Sequence, residues 1–394
     1  MAKKRRKFRA SFRKHHDAAP RDRGQTRAYE RDGDDTTADQ DRGERVTGKG
    51  RLTRKRTVAG AEVVEDASGQ IVLPDVDPGE CVAGRVLRVQ GLVSRVLGDD
   101  GAVYACATRQ LLKQLATDLR HVVAAGDRVW VRPDATSVAT VSAGDPIEGI
   151  IERVEPRDGV LSRTSRGRQQ LIAANVDQIV IVASAAEPRL KPNLVDRYLV
   201  TAEKTGLTPI VCVNKIDLVE QADLVPIVGV WSSLGYDVLP VSAETGQGVP
   251  ALRERLLANQ TAFTGQSGVG KSSLLNAIEP GLALRVQTVS AESDKGRHTT
   301  TTAELLPLGG ELPGAATDRG FLVDTPGIRG FELWDVIPEE VAGFFREFRP
   351  FVSACRYADC THTHEQPCAV KDAVADGWID ARRYESYTQI HSGE

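Results

Sequence analysis

Hydrophobic positions change their spacing three times along this chain. Over 81–154 they alternate in short runs, at 81–89, 92–97, 102–106, 128–132, 137–141 and 149–154. Turn-forming clusters separate these runs: Gly98-Asp99-Asp100-Gly101, Gly126-Asp127 and Gly144-Asp145-Pro146. Strands this short, spaced roughly 8–12 residues apart, predict a small closed barrel, and five strands of the oligonucleotide-binding type fit the length. From about residue 172 continuous apolar runs take over. Those at 178–183, 209–213 and 238–241 read as buried strands, while 261–264 reads as a short strand, 320–324 as one more and 303–308 as an antiparallel edge strand. Helical spacing occupies 194–204, 221–234, 249–257 and 273–278. Such alternation predicts a mostly parallel sheet covered on both faces. After about residue 331 the pattern is helical, at 338–348, 369–375 and 381–390. Residues 1–56 hold hardly any apolar side chain and predict no core.

Composition narrows this picture. At 394 residues and 41% hydrophobic, the chain can build two or three domains. No apolar run reaches the roughly 18 residues that span a bilayer, and the basic start lacks the apolar stretch of a signal peptide. Six cysteines in this length do not form a disulfide framework, so a reducing cytoplasm is expected. The net charge of −3 hides an asymmetry, with 19 Lys and Arg against 9 Asp and Glu in residues 1–56, but 32 against 45 in the remainder. A basic tail on an acidic body suits an anionic partner such as RNA, whose phosphates the tail neutralises. The barrel offers few aromatics for base stacking (Tyr104, Trp130), so any RNA contact there is expected through cations and shape.

The chemistry centres on Gly265-Gln266-Ser267-Gly268-Val269-Gly270-Lys271-Ser272-Ser273, between an expected strand and an expected helix. This G-x-x-x-x-G-K-[ST] pattern wraps a phosphate chain in backbone N–H groups at a helix N-terminus. Lys271 reaches the β and γ phosphates, and the Ser272 hydroxyl ligates magnesium. Four further segments specify the nucleotide. Asn214-Lys215-Ile216-Asp217 follows a strand, and the Asp217 carboxylate can accept both the N1–H and the exocyclic amine of guanine, a donor pair adenine lacks. Ser242-Ala243 follows the next strand and offers a backbone N–H to guanine O6. Asp324-Thr325-Pro326-Gly327 ends another strand, placing Asp324 to hold magnesium through water and the Gly327 N–H to sense the γ-phosphate. Thr300, within Gly296-Arg297-His298-Thr299-Thr300-Thr301, can complete the magnesium shell. Together these define a GTP site, yet the base-reading segments precede the phosphate loop. A circular permutation explains that order, since the natural ends of a domain often lie close together. It also ties whatever follows residue 327 to the segment that responds to the γ-phosphate.

Cys355, Cys360, His362 and Cys368 follow. Three thiolates and an imidazole within 14 residues suit tetrahedral zinc in a structural site, with His364 a competing ligand.

The sequence resembles the circularly permuted, ribosome small-subunit-dependent GTPases of bacteria from about residue 80 to the C-terminus. The segments Ala173-Ala174-Asn175-Val176-Asp177-Gln178, 214–217, Ser242-Ala243-Glu244-Thr245-Gly246, 265–273, 296–301, 324–327 and the cysteine cluster carry the likeness. It implies a multidomain fold with a barrel over 76–165, a permuted GTPase domain over 166–332 and a zinc-binding helical domain over 333–394, after the basic disordered tail that composition leads us to expect over 1–75. It favours His362 as the fourth zinc ligand. It implies a monomeric, cytoplasmic factor that acts late in small-subunit assembly, touches ribosomal RNA, hydrolyses GTP when the subunit stimulates it, and is then released. The glutamine usual after Asp-x-x-Gly is replaced by Ile328, and the resemblance offers His298 to position the attacking water. The alternatives are a signalling GTPase not tied to the ribosome and a GTP-dependent RNA-binding scaffold. A second catalytic centre, which an RNA-modifying enzyme would need, is not found in the sequence.

Overall fold

The computed structural model describes residues 7–11, 46–47, 55–59, 61–66, 69–110, 112, 122–135, 137, 145–165, 168–280, 303–309, 320–324 and 337–393. By internal contacts the chain forms two units, one built mainly from residues 1–162 and the other mainly from 176–312 and 318–394.

The first unit is the expected barrel. Its strands are β1 (Val82–Gln90), β2 (Val93–Gly98), β3 (Val103–Thr108), β4 (Arg128–Pro133) and β5 (Ile147–Val154). They run in the order β1-β2-β3-β5-β4, and β4 pairs back onto β1 to close the sheet. All pairs are antiparallel except β3 with β5. Alternation turns Val86, Val96, Tyr104, Cys106, Val129, Val131 and Ile151 into one buried core. Tyr104 is therefore inside, donating to the Asp100 carboxylate at 2.5 Å, and is no platform for a base. The strand expected at 137–141 lies outside the described residues except for Ser137. That residue is helical, because the Asp134 carboxylate accepts its amide at 3.1 Å and starts a turn. Residues 170–175 join the barrel unit: the Ala174 amide donates to the Ala125 carbonyl at 2.9 Å, and Asn175 Nδ2 donates to the Gly126 carbonyl at 3.0 Å.

Strands also occur inside the stretch expected to lack structure. Lys7–Ser11, Val46–Thr47 and Lys55–Ala59 form a three-stranded sheet, and Ala61–Asp66 pairs with Gly69–Pro74 as a hairpin. Val63, Val64, Ile71 and Val72 supply the β-branched residues that favour that hairpin. A second hairpin, Val160–Ser165 with Arg168–Ala174, has no counterpart in the sequence reading.

The second unit carries β6 (Gln178–Ser184), β7 (Thr208–Asn214), β8 (Asp237–Pro240), β9 (Gln260–Thr264), β10 (Glu304–Pro307) and β11 (Phe321–Asp324). Their order is β8-β7-β6-β9-β11-β10, parallel except for the β10–β11 pair. Every residue of β6 and β9 is buried, and for β6 that burial on both faces is why its centre reads as a continuous apolar run. Helices α1 (Pro192–Thr205), α2 (Gln221–Ser233), α3 (Val249–Leu256) and α4 (Lys271–Ile278) follow the strands as expected. Proline at its first position and Gly206 in the left-handed region bound α1.

The expected helix at 338–348 is broken. A short 3-10 turn leads into α5 (Val341–Phe344), and α6 (Arg349–Val352) starts again beyond extended Phe345. Gly343 and Pro350 weaken a continuous helix there, and the break lets Phe345 and Phe348 both bury, their rings 5.1 Å apart. Helices α7 (Ala369–Ala375) and α8 (Ala381–Ser392) complete the chain. The C-terminal helices belong to the same unit as the sheet, because Val200 of α1 lies in their core beside Val341, Phe345, Phe348 and Tyr387.

Candidate functional site

Strand β9 delivers the phosphate loop to the C-terminal edge of the sheet, where β7 delivers residues 214–217. Two glycines are required here by geometry. At Gly265 the backbone sits at φ +141, and a Cβ would lie 2.1 Å from the Val182 carbonyl oxygen. At Gly270 φ is +91, and a Cβ would lie 2.5 Å from Asn214 Nδ2. Val269 and Leu274 anchor the loop and α4 in the core of the unit. Lys271 Nζ donates to the carbonyls of Gly265 at 2.7 Å and Gln266 at 2.9 Å, so its ammonium spans the mouth of the loop.

Asn214 holds three of the predicted segments together. Fully buried, it donates through Nδ2 to the Val269 carbonyl at 2.9 Å and accepts the Ala243 amide at 3.1 Å. Residues 214, 243 and 269 are thereby fixed to one another, although the first and last are 55 positions apart. Lys215 is left-handed at φ +64 and donates to the Glu187 carbonyl. Ile216 is buried and seats the turn, while Asp217 is exposed. The Ser242 hydroxyl donates to Asp217 Oδ1 at 2.5 Å and accepts the Thr245 amide at 3.1 Å, which fixes the carboxylate beside Ala243. Ser267 and Gly268 lie in the loop, Ser272 and Ser273 in the first turn of α4, and Asp324 ends β11, which runs parallel to β9. His298, Thr300, Gly327 and Ile328 lie outside the described residues.

Sequence reading missed the segment 185–191 between β6 and α1. Its Glu187 carbonyl meets Lys215, and Pro188, Arg189 and Lys191 line a narrow cavity with Gln266 and Val269. The Pro188 that bounds it carries no chemical signature, so nothing in the pattern marked it.

The four cysteine and histidine residues converge. Their ligand atoms all lie within 4.8 Å of one another. The Cys355 and Cys368 sulfurs are each 3.5 Å from His362 Nδ1 and 3.9 Å from each other. A tetrahedral cation with metal–sulfur and metal–nitrogen bonds of about 2.3 and 2.0 Å would separate its ligands by about 3.5–3.8 Å. The donor set fits such an ion. His364 is excluded from it, 81% exposed and turned toward Glu365. Burial pushes the Cys360 thiol up to about 12 and the His362 imidazole down. A neutral imidazole is the ligating form, and a divalent cation would favour the thiolates against that burial. The surrounding shell is well made: Tyr384 donates to the His362 carbonyl at 2.7 Å and Tyr387 to the Thr361 carbonyl at 2.5 Å. Glu365 accepts from the Thr361 hydroxyl and amide, which hold its carboxyl down at about 2.

A mostly parallel sheet that carries a phosphate-loop motif and an Asn-Lys-x-Asp turn, with the turn earlier in the chain, has the order of a circularly permuted GTPase. Residues 154–334 match the model of the RsgA GTPase family. The small ribosomal subunit biogenesis GTPase RsgA of Gemmatimonas aurantiaca is 39% identical over 310 residues, which are 78% of this chain and 95% of that protein. Its namesake in Chlorobaculum parvum is 40% identical over 318 residues, 79% of this chain and 97% of that one. Among solved structures, YjeQ from Thermotoga maritima superposes with a TM-score of 0.63 at 34% identity, covering 79% of this chain and 98% of that one. YloQ, described as a circularly permuted GTPase, gives 0.60 at 28% identity, covering 81% and 97%. The chain belongs to the RsgA GTPase family and is a GTP hydrolase. Among the described residues, no helix is long and apolar enough to cross a membrane.

Proposed function

We propose that this GTPase acts late in the assembly of the small ribosomal subunit, with hydrolysis stimulated by the subunit and coupled to release from it. The observation that carries the reading is Asn214, which locks the phosphate loop to both guanine-reading turns across the permuted chain order. Relatives named for small-subunit biogenesis supply the partner.

In this reading the backbone of 265–273 and Lys271 bind the phosphates, while Asp217, Lys215 and the Ala243 amide read guanine. Ser272, Thr300 and, through water, Asp324 would hold magnesium, which would neutralise charge on the phosphates. Lys271 exchanges its two loop carbonyls for phosphate oxygens, and His298 positions the attacking water. Cys355, Cys360, His362 and Cys368 would hold one structural zinc, which would brace the fold rather than take part in hydrolysis. The barrel over 76–165 and the basic tail over 1–75 contact ribosomal RNA, and the protein works as a cytoplasmic monomer. Phosphate release by wild type, Ser272→Ala and His298→Ala, each with and without small subunits, tests this. Wild type should accelerate on adding subunits and both variants should stay slow. Nucleotide binding with no turnover under any condition would point instead to a GTP-dependent scaffold.

A further inference from the structure

Strand β6 ends at Ser184, which lies opposite Asn214, the last residue of β7, in their parallel register. Ser184 is 2% exposed, so its hydroxyl has to find a partner inside the protein. It donates to the Ala186 carbonyl at 2.5 Å and bends the chain directly beyond the sheet. Two groups of the resulting turn reach the base-reading segment. The Ala185 amide donates to the Asn214 carbonyl at 2.8 Å, and the Glu187 carbonyl accepts the Lys215 ammonium.

Lys215 needs such a support. Its backbone is left-handed at φ +64, a region that residues with a Cβ enter at a cost. Its flexible four-carbon stem also loses rotamer freedom when it is ordered. That stem runs beside the phosphate loop, since a Cβ on Gly270 would lie 3.8 Å from Lys215 Cε, and its tip is tied at Glu187. One end of the stem is set by the 214–217 turn, the other by a carbonyl whose place the Ser184 bend fixes. Asn214 is held separately, by its side-chain bonds to Val269 and Ala243.

We infer that Ser184 is a positioning residue for the base end of the nucleotide: its hydroxyl shapes the 185–187 turn, and that turn holds the Lys215 stem stretched for the guanine face. Ser184 acts through Glu187 and Lys215, and it rests on reading 214–217 as the guanine turn. Affinity for the base and affinity for the phosphates should therefore separate when the hydroxyl is removed.

The test titrates a fluorescent GDP, with magnesium, into full-length wild type, Ser184→Ala, Lys215→Met and the double variant, and lets inorganic pyrophosphate compete as a ligand without a base. Thermal unfolding of each checks that it is folded. Lys215→Met keeps an apolar stem and removes the ammonium that Glu187 holds. Ser184→Ala should weaken fluorescent GDP about three- to tenfold, the worth of one hydrogen bond, and leave the affinity for pyrophosphate unchanged. In the Lys215→Met background the same change should add nothing, because the tether is already cut. Wild-type GDP affinity in Ser184→Ala, an equal loss for pyrophosphate, or multiplied losses in the double variant would overturn the inference. If Ser184→Ala does not fold, Ala185→Pro removes the amide that ties the turn to Asn214. It should also weaken GDP and spare pyrophosphate, and any other pattern would overturn the inference as well. Wild type that binds GDP no more tightly than ADP would remove the guanine-turn reading first, a result distinct from a guanine preference that Ser184→Ala leaves at full strength.

Discussion

The nucleotide site and the cysteine cluster are built in opposite ways. Residues 355–368 gather four candidate ligand atoms from one short stretch, and the shape is held by Phe348, just before α6, and Tyr387 of α8 packed around His362. The nucleotide site gathers turns 214–217 and 242–243 and the loop 265–273 from separate strand ends, and the shape is held mainly by backbone groups and by Asn214. A local cluster needs a cation to be worth forming. An assembled site needs only the sheet, and permuting the chain leaves the sheet intact. The difference teaches where each is fragile.

The largest effect is expected from the cluster. Cys360→Ala should release the zinc stoichiometrically, read by metal analysis. Structural zinc contributes on the order of 10 kcal/mol to its fold, so unfolding of the 341–392 helices should be the visible consequence. Unchanged zinc content would refute the site. Acid should act in the same direction. Metal binding displaces protons from thiols that burial holds up, so apparent zinc affinity should rise with pH through neutrality. Next comes Asp217→Asn, which replaces a double acceptor with a group that donates. Guanine affinity should fall by at least about a hundredfold, and xanthine, with a carbonyl in place of the amine, should bind in its stead. Competition binding with the two nucleotides reads this, and unchanged preference would break the assignment. Asn214→Ala removes the bridge and leaves the Ala243 amide and Val269 carbonyl without it. It should cost about 1–3 kcal/mol of stability and weaken nucleotide binding while zinc stays bound. The smallest effect is expected from His364→Ala, which lies outside the cluster and should leave zinc content unchanged.

The same contrast decides what the sequence made legible. The barrel strands, β6 to β11 and their helices follow from periodicity, because buried strands and half-buried strands differ in pattern. The four candidate metal ligands were legible because their spacing is itself the geometry; the resemblance favoured His362, and the fold leaves His364 exposed outside the cluster. The contact of Asn214 with Val269 was not legible, since nothing in local pattern says which strand ends become neighbours. Nor was the burial of Asp196 on α1, which no local pattern marks; only the fold brings Trp231, Ser386 and Arg382 around it. The break at Phe345 was missed because aromatic burial outweighs helical continuity there.

The central claim is that this GTP site answers to the small ribosomal subunit. Phosphate release should be followed at saturating GTP while purified small subunits are titrated against the full-length protein. The account predicts slow turnover alone and a saturable acceleration as subunits are added. A rate that stays flat across the titration, with GTP binding intact, would contradict it.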